Sequence, residues 1–445
     1  MSSPAWIPSH RRDQLRDLAI RSRQVVVLAG VVGALTGLVV AGFDRLVVEV
    51  SFGHIRRLPL WIVAIAPGIG LLIAVTVRRV LRVPSAATAD DYMHAFHDPA
   101  HRLGWRAFVA KMTASAATLG SGGPMGLEGP SMYAGAFIGS QLQRRFPKSF
   151  KNADRRVLLV AGAAAGVAAI FKAPATGAVY ALEVPYQGDL ARRMLLPALV
   201  ASASGYLVFA AINGTAPLFP ITGQIGFNFR DLAGAMLVGI CAGLGARVFA
   251  WMLRRAKKIA NHPRPVLITL VAGVLMAGAF VLGRLASGES LVVGSGYEVL
   301  AWAPAGRGAL WVVLAILGLR CFATSVTVAG GGSGGLFVPL VVAGSLTGAF
   351  VGRAVNQTDL AMFTVIGVAA FLGAGYRVPL AAVMFVAETT GRASFVVPGL
   401  IAAVVAELMM GDSSVTTMQR NTPGLEPAPR VEEPDREVGQ IGDDG

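Results

Sequence analysis

Two short segments of this 445-residue chain combine glycines with a proline in a spacing that can build an anion site. The first, Gly126–Pro130, reads GLEGP, and the second, Gly334–Pro339, reads GGLFVP. Proline is favoured in the first turn of a helix, so each segment predicts a helix that begins there. A helix start exposes unpaired N–H groups and about half a positive charge, which attract anions. Two such starts meeting inside a membrane would make a cationic cavity without a lysine or arginine.

Glu128 lies inside the first segment, where its carboxylate would compete with a bound anion. A charged side chain costs roughly 2.5–3.5 kcal/mol at the centre of a membrane unless it is solvated or paired. Two helix starts would stabilise that carboxylate, and protonation would remove it, so Glu128 is predicted to gate the site. The alternative is an acid that only complements its own helix dipole. Phe337 stands at the matching position of the second segment, which favours the gate.

The elements that position these segments repeat along the chain. Residues 122–139 and 331–348 are identical at 8 of 18 positions when they are aligned 209 residues apart. Farther on, Pro174–Glu183 matches Pro379–Glu388 at an offset of 205, with a proline followed nine residues later by a glutamate in both. Gly- and Pro-interrupted segments at matching places of two halves indicate a binding site near the membrane midplane.

The composition indicates a polytopic membrane protein. Apolar residues make up 54% of the chain and charged residues 14%, with a mean hydropathy of +0.61. A soluble protein cannot hide so much apolar surface, so soluble enzymes and disordered regulators are excluded. Many apolar runs are shorter than the roughly 20 residues of a perpendicular span and end at glycine or proline, which predicts broken helices in an all-α fold.

The net charge of +14 indicates membrane anchoring and not nucleic-acid binding, because no long basic block exists. The basic residues stand in short clusters beside apolar runs, which is the pattern of cytoplasmic loops and anchors. The predicted organisation is a basic cytoplasmic segment (1–24), a membrane domain (25–420) and an acidic disordered tail (421–445). Within the domain, repeat one spans about 25–211 and repeat two about 232–420.

Several chemistries are disfavoured by the residues that they would need. Two cysteines lie in separate apolar stretches, so neither a disulfide framework nor a thiolate metal site is expected. All six histidines fall outside the apolar runs, which leaves no imidazole base inside the membrane for an intramembrane protease. No enzyme activity, cofactor or metal is therefore predicted.

With both segments and the repeat in view, the chain resembles the CLC family of chloride channels and chloride/proton exchangers. Gly126–Pro130 and Gly335–Pro339 look like two of the family's three signature loops, and the match extends over about residues 25–420. The resemblance implies a homodimer with one anion pathway per subunit, built from inverted repeats of tilted, broken helices. It makes Glu128 the external gating glutamate. The implied anion-binding positions are Gly126, Gly129, Gly335, Leu336 and Phe337, with the N–H groups of the last two on the central anion.

The chain departs from the family pattern in its other loops. Leu127 stands where the family usually has arginine, and Pro84–Thr88 replaces an intact first signature loop. Either Ser85 or Thr88 is expected to supply the anion-coordinating hydroxyl. The tyrosine that the family carries near the end of the last helix corresponds to Val415, so this hydroxyl ligand is expected to be missing.

The mode of transport is predicted from Glu183 and its neighbour. Exchangers of the family typically have an inner proton-handling glutamate where this chain has Val184, and channel-type members have a similar Glu-Val pair. Passive, channel-like conduction of chloride is therefore slightly favoured, and chloride/proton exchange is the alternative. Glu183 is expected to be a structural acid because its repeat mate is Glu388, although it is also a candidate proton relay.

Two expectations remain open at this point. Lys111 either adds positive potential to the pathway or anchors Asp90 or Asp91. A cation or metal-ion transporter is the distant alternative, because it would need several acids at the midplane, where the second loop offers Phe337. The protein is expected in the lipid bilayer of a bacterial plasma (inner) membrane, with chloride as its ligand and protons as the second ligand if exchange is its mode.

Overall fold

A computed structural model describes residues 9–98, 100–146, 156–216, 229–356 and 360–420. The described residues form helices and two isolated β-bridges, and no extended strand. The helices are α1 (Ser9–Asp44, continued by a π-helix at Arg45–Phe52), α2 (Gly53–Ile55), α3 (Leu60–Val80), α4 (Ala89–His97), α5 (Trp105–Gly120), α6 (Glu128–Arg145), α7 (Val157–Phe171), α8 (Pro174–Glu183), α9 (Leu195–Asn213), α10 (Phe229–Ala260), α11 (Pro265–Ser287), α12 (Tyr297–Trp302), α13 (Leu310–Ala329), α14 (Phe337–Ala354), α15 (Leu360–Tyr376), α16 (Pro379–Thr390) and α17 (Val396–Met410). The expected all-α fold is confirmed.

Both long and short apolar helices build the membrane body. Eight described helical segments are long and apolar enough to span a bilayer: Arg23–Ile55, Leu60–Val80, Arg192–Asn213, Leu232–Ala260, Pro265–Ser287, Leu310–Ala329, Phe337–Ala354 and Ala393–Met410. Helices α7, α15 and α16 are apolar but shorter. Every residue of α7 is buried, so this short helix meets protein and not lipid. The prediction of broken helices in the protein interior is confirmed.

Glycine contacts show that the two halves pack in the same way. In the first half α6 packs on α7, and a β-carbon at Gly135 would clash with the carbonyl of Gly162. In the second half α14 packs on α15, and a β-carbon at Gly344 would clash with the carbonyl of Gly367. Small residues allow membrane helices to approach backbone to backbone, where dispersion forces replace the hydrophobic effect. The repeat therefore preserves a helix pair and its closest contact.

The two halves also cap each other's helices. Glu388, at the end of α16, accepts hydrogen bonds from the backbone N–H groups of Ala175 (2.8 Å) and Thr176 (2.6 Å) at the start of α8. Glu183, at the end of α8, accepts from Leu380 (3.2 Å) and Ala381 (2.8 Å) at the start of α16. Each glutamate thus satisfies orphan donors of the opposite helix. This reciprocity is what a two-fold relation between repeats requires.

Some of the predicted boundaries fall outside the described residues. The acidic tail (421–445) lies there entirely, and so do residues 1–8 of the basic segment. From Ser9 onward the backbone is helical and runs without interruption into the first membrane span. The division into repeats at about 211 and 232 stays a prediction, since the segment between them is largely undescribed.

Filling either close glycine contact should destabilise the protein. Gly135→Ala and Gly344→Ala each add a methyl group where a backbone carbonyl already lies, so we expect a loss of about 1–3 kcal/mol, as for overpacked cores. Thermal unfolding of the detergent-solubilised protein, followed by size-exclusion chromatography, would measure it. Gly278→Ala is the matched control because no atom lies within 4 Å of its β-carbon position. Equal melting midpoints for all three variants would contradict the packing argument.

Candidate anion site

The two glycine-rich segments meet through their backbones. The N–H of Gly126 donates to the carbonyl of Gly335 (2.9 Å), and the N–H of Gly335 donates to that of Gly126 (2.7 Å). This antiparallel bridge brings the starts of α6 and α14 together, since the helices begin two residues later at Glu128 and Phe337. The juxtaposition that the repeat predicts is therefore present, with both positive helix ends at one point.

Glu128 occupies the space between these helix starts. Its side-chain oxygen Oε1 accepts a hydrogen bond of 2.6 Å from the backbone N–H of Phe337, across the repeat boundary. The residue is only 2% exposed, and its second oxygen Oε2 has no hydrogen-bond partner among the described residues. The carboxylate thus binds the opposite helix start as an anion would. It does not merely complement the dipole of its own helix.

Aromatic rings fix the position of the helix start that receives Glu128. The ring of Phe337 is fully buried, and its centroid lies 4.4 Å from that of Phe171, 5.1 Å from Tyr180 and 5.0 Å from Phe385. Such tilted and edge-on ring pairs each stabilise packing by about 0.5–1.5 kcal/mol beyond area burial. The cluster keeps the Phe337 N–H aimed at the site and excludes water from one side.

The structure distinguishes the two candidate hydroxyls of the Pro84–Thr88 loop. Ser85 is exposed, and its Oγ accepts a hydrogen bond of 3.2 Å from Ala87 N–H. Thr88 is buried, and its Oγ1 has no partner among the described residues. A β-carbon at Gly129 would lie 2.5 Å from this oxygen, so Thr88 Oγ1 adjoins the start of α6. Only Thr88 therefore brings an unused hydroxyl to the site.

Three donors hold this loop by its carbonyl oxygens. Arg78 Nη1 donates to Pro84 (2.9 Å), Ser333 Oγ donates to Ala86 (2.9 Å), and Lys111 Nζ donates to Ala87. Lys111 is fully buried and also forms an ion pair with Asp91. Of the two roles considered for Lys111, anchoring is thus directly visible. Its positive charge is largely neutralised by that carboxylate.

Tyr376, which the sequence analysis does not single out, brings a second hydroxyl to the site. This last residue of α15 is buried, and its hydroxyl interacts with that of Tyr180 and with the backbone of Leu336. Val415 is fully buried in the same apolar cluster, and its backbone N–H donates to the carbonyl of Gly375 (3.0 Å), but its side chain offers no hydroxyl. The sequence did carry a signal for Tyr376: it is the polar last residue of an otherwise apolar helix and stands three residues before Pro379, which belongs to the repeat.

A cavity of about 490 Å³ leads to the site from the side of α4. Thr88, Leu336 and Tyr376 line it together with Asp90 and Asp91. Asp90 forms an ion pair with Lys257 (2.7 Å), and Asp91 forms the one with Lys111 described above. Burial opposes ionisation of Asp90, but the Lys257 ammonium and the Thr416 hydroxyl together hold its pKa below the ordinary value. With both acids paired, the cavity does not repel an entering anion.

The remaining predicted residues lie away from this cavity. The carboxylate of Glu183 caps α16, as described above, and Val184 is fully buried behind it. The described residues contain no cluster of three or more His, Cys, Asp and Glu side chains able to hold a metal ion. The site is thus built from backbone N–H groups, hydroxyls and one carboxylate.

Curated proteins that resemble this chain over most of its length are named as exchange transporters. The H(+)/Cl(-) exchange transporter ClcA of Salmonella typhimurium is 26% identical over 450 residues, covering 95% of this chain and 94% of its own. ClcA of Salmonella paratyphi B is 27% identical over 423 residues, covering 90% and 88%. The expectation that passive conduction prevails over exchange is therefore wrong. That expectation rests on the Glu183–Val184 pair, whereas these relatives are named as exchangers.

Solved structures share the fold. A slow cyanobacterial Cl-/H+ antiporter superposes with a TM-score of 0.76 at 20% identity, covering 87% of this chain and 94% of its own. A CLC-type fluoride/proton antiporter gives 0.78 at 20% identity, covering 90% and 98%. A family model described as voltage gated chloride channel matches residues 69–411. The chain therefore belongs to the voltage gated chloride channel family, the CLC family that its sequence resembles.

Proposed function

We propose that this protein exchanges an anion, chloride in the first instance, for protons across a membrane. The observation that carries the proposal is the hydrogen bond from the Phe337 N–H to the Glu128 carboxylate, which puts a protonatable group where an anion would bind. The names of the curated relatives, which are proton/chloride exchangers, support it.

Exchange follows when a carboxylate and an anion compete for one set of donors. While Glu128 is ionised, its carboxylate holds the Phe337 N–H and excludes other anions. Protonation removes its negative charge, so the carboxylic acid leaves the donors and an anion takes its place. When the acid releases its proton, the carboxylate displaces the anion again. In each cycle Glu128 thus takes up one proton when an anion enters and releases it when the anion leaves, which couples the two movements.

Uncharged groups are proposed to hold the anion while Glu128 is away. The N–H groups of Leu336 and Phe337 supply the partial positive charge, Thr88 Oγ1 is free to donate, and Tyr376 adds a second hydroxyl. The backbone at Gly126, Gly129 and Gly335 allows this close approach. Such partial charges stabilise a desolvated anion without the strong hold of a lysine or arginine, so the anion is released readily.

The other predicted residues are assigned supporting roles. Glu183 is proposed as a capping residue whose proton, if it carries one, is not required for coupling, because Glu388 does the same at the opposite helix. Lys111 is proposed to position the loop that carries Thr88. We also propose a homodimer in the plasma (inner) membrane of a bacterium, as the family resemblance implies.

Replacing the gating acid should uncouple the two fluxes. Liposomes holding purified protein are given a chloride gradient, and chloride efflux and internal pH are recorded together. Wild type is expected to move protons against their gradient, while Glu128→Gln should keep chloride flux and reduce proton movement to that of empty liposomes. Glu49→Gln, an exposed acid in the π-helix that follows α1, is the control. Chloride flux without proton movement in the wild type would overturn the proposal. A parallel assay with a fluoride gradient tests the anion, because fluoride flux coupled to protons without chloride flux would identify fluoride as the substrate.

Removing the unpartnered hydroxyl should weaken anion binding. Thr88→Val retains the shape of the side chain but loses one hydrogen bond to a charged ligand, so we expect chloride to bind about tenfold more weakly. Ser85→Ala removes a hydroxyl from the same loop at an exposed position and should leave affinity unchanged. Calorimetric titration of chloride into protein solubilised in detergent would measure both. Equal losses in the two variants would argue against Thr88 as a ligand.

Glu183→Gln separates a capping role from a proton relay. If Glu183 only caps α16, the variant should lose about 1 kcal/mol of stability, as Glu388→Gln should, because each loses a charge that binds a helix start. The proton-to-chloride ratio in the liposome assay should equal that of wild type. A ratio reduced in Glu183→Gln but intact in Glu388→Gln would assign the relay role to Glu183.

A further inference from the structure

A second cavity, of about 590 Å³, lies at the basic end of α3 beside the cavity that leads to the anion site. Its charged lining residues are Arg78, Arg79 and Arg82, and His262, which precedes α11, also lines it. No acidic residue among those that the structure describes lines it. The positive-inside rule places such a cluster of arginines at the cytoplasmic surface of a membrane protein. This chamber is called the arginine cavity below.

Arg78 is a buried cation without a counterion. It is 8% exposed, and its Nη1 and Nη2 donate to the carbonyls of Pro84 (2.9 Å) and Gly331 (2.7 Å). Its Nε has no hydrogen-bond partner, and no described carboxylate forms an ion pair with it. Burying an unpaired charge is costly, so a negative group in the adjoining space would compensate it. Arg78 lines both the arginine cavity and the cavity that leads to the anion site. A negative group bound in the arginine cavity would therefore lie next to a residue of the anion pathway.

The rim of the arginine cavity carries two more unpaired cations. Arg79 and Arg82 are exposed and form no ion pair within the described part of the chain. The start of α11 at Pro265 adds its positive helix end, and no side chain caps it. The carbonyl ends of α3 and α13 also reach this region, but the Gly331 carbonyl beyond α13 is already bonded to Arg78. The carbonyl end of α10 at Ala260 lines the cavity as well, but three full guanidinium charges outweigh the partial negative charges of these helix ends, so the lining is positive.

We propose that the arginine cavity binds the phosphate group of an anionic phospholipid or of a soluble organic phosphate. Guanidinium groups match phosphate oxygens with paired, charge-assisted hydrogen bonds, and Arg79 and Arg82 line this cavity with their guanidinium groups outside any ion pair of the described residues, while Arg78 adds its charge and its unpartnered Nε. The volume falls within the roughly 300–1,000 Å³ of small-molecule sites. Chloride needs neither three arginines nor this much space. The ligand is therefore distinct from the transported anion.

The surroundings of the cavity favour the lipid source. Val80, in the last turn of α3, is 74% exposed, and Leu267 and Val271 on α11 are about half exposed. The two helices touch where a β-carbon at Gly68 would lie 3.0 Å from Cα of Gly273, so their apolar faces form one continuous surface. Acyl chains lying along this surface would bring a headgroup phosphate to the arginines.

A phosphate here would also act on the anion pathway. Arg78 joins the Pro84–Thr88 loop to the loop that precedes α14, through the two carbonyls it binds. A bound phosphate would fix this guanidinium and hence the spacing of the two loops. Occupancy of the cavity is therefore expected to change the rate of transport without contacting the transported ion.

The test measures binding and needs no transport. Full-length protein in vesicles of equal parts phosphatidylcholine and phosphatidylglycerol is extracted with mild detergent, and native mass spectrometry counts the retained phosphatidylglycerol. Since each arginine near a surface contributes about 1 kcal/mol, Arg79→Gln/Arg82→Gln should bind the lipid at least about tenfold more weakly. Arg192→Gln/Arg193→Gln removes two adjacent exposed charges outside the cavity and should match wild type. Arg78 is left intact because it joins two loops.

A second arm identifies the source of the phosphate. Inorganic pyrophosphate is titrated into protein in uncharged detergent, and the shift of the melting midpoint is recorded for all variants. A soluble phosphate is supported if pyrophosphate raises the melting midpoint of every protein except the cavity variant while all variants retain the same amount of lipid. The midpoint without ligand verifies folding, and Arg79→Gln alone should show an intermediate loss. Equal lipid retention and equal pyrophosphate responses in folded cavity and control variants would overturn the proposal.

Discussion

The backbone bridge between Gly126 and Gly335 is the constraint on which the site depends, because it forces two positive helix ends against each other. Two positive helix ends that meet in this way repel each other unless a negative group lies between them. The Glu128 carboxylate supplies that group when no anion is bound. The glycine contacts pack α6 on α7 and α14 on α15, and the reciprocal glutamate caps join α8 to α16 beside them, so that both helix starts are held in place.

The hydrogen bonds left unmade around the bridge indicate what the site is built to do. Glu128 Oε2 and Thr88 Oγ1 are both buried without a partner, and an unsatisfied buried polar group costs about 1–3 kcal/mol. A purely structural site would satisfy them, as Glu388 satisfies every donor at the start of α8 that it reaches. An unused hydroxyl donor and an unused carboxylate acceptor side by side fit a site whose occupant changes.

The sequence predicts the parts of the site that are local. Glycine and proline spacing predicts the two helix starts, and the repeat predicts that they meet, which together identify Glu128 and Phe337. Tyr376 escapes this reasoning because it reaches the site from α15 through tertiary packing, with no spacing that links it to the other residues. The choice between Ser85 and Thr88 depends in the same way on which side chain the fold buries.

The prediction of passive transport fails for a different reason, which lies in the near-symmetry of the two repeats. Val184 has no part in the meeting of the helix starts, so its identity says little about whether anion movement is coupled to proton movement. For the proposed exchange, what matters is the one position where the two glycine-rich segments differ in charge: an acid at 128 and a buried phenylalanine at 337. Two acids would repel each other across the bridge, and two phenylalanines would leave only a static anion cradle. One acid opposite the buried ring cluster of Phe337 gives one charge that can move and one fixed set of N–H donors. This is the minimum that the proposed competition between the carboxylate and an anion requires.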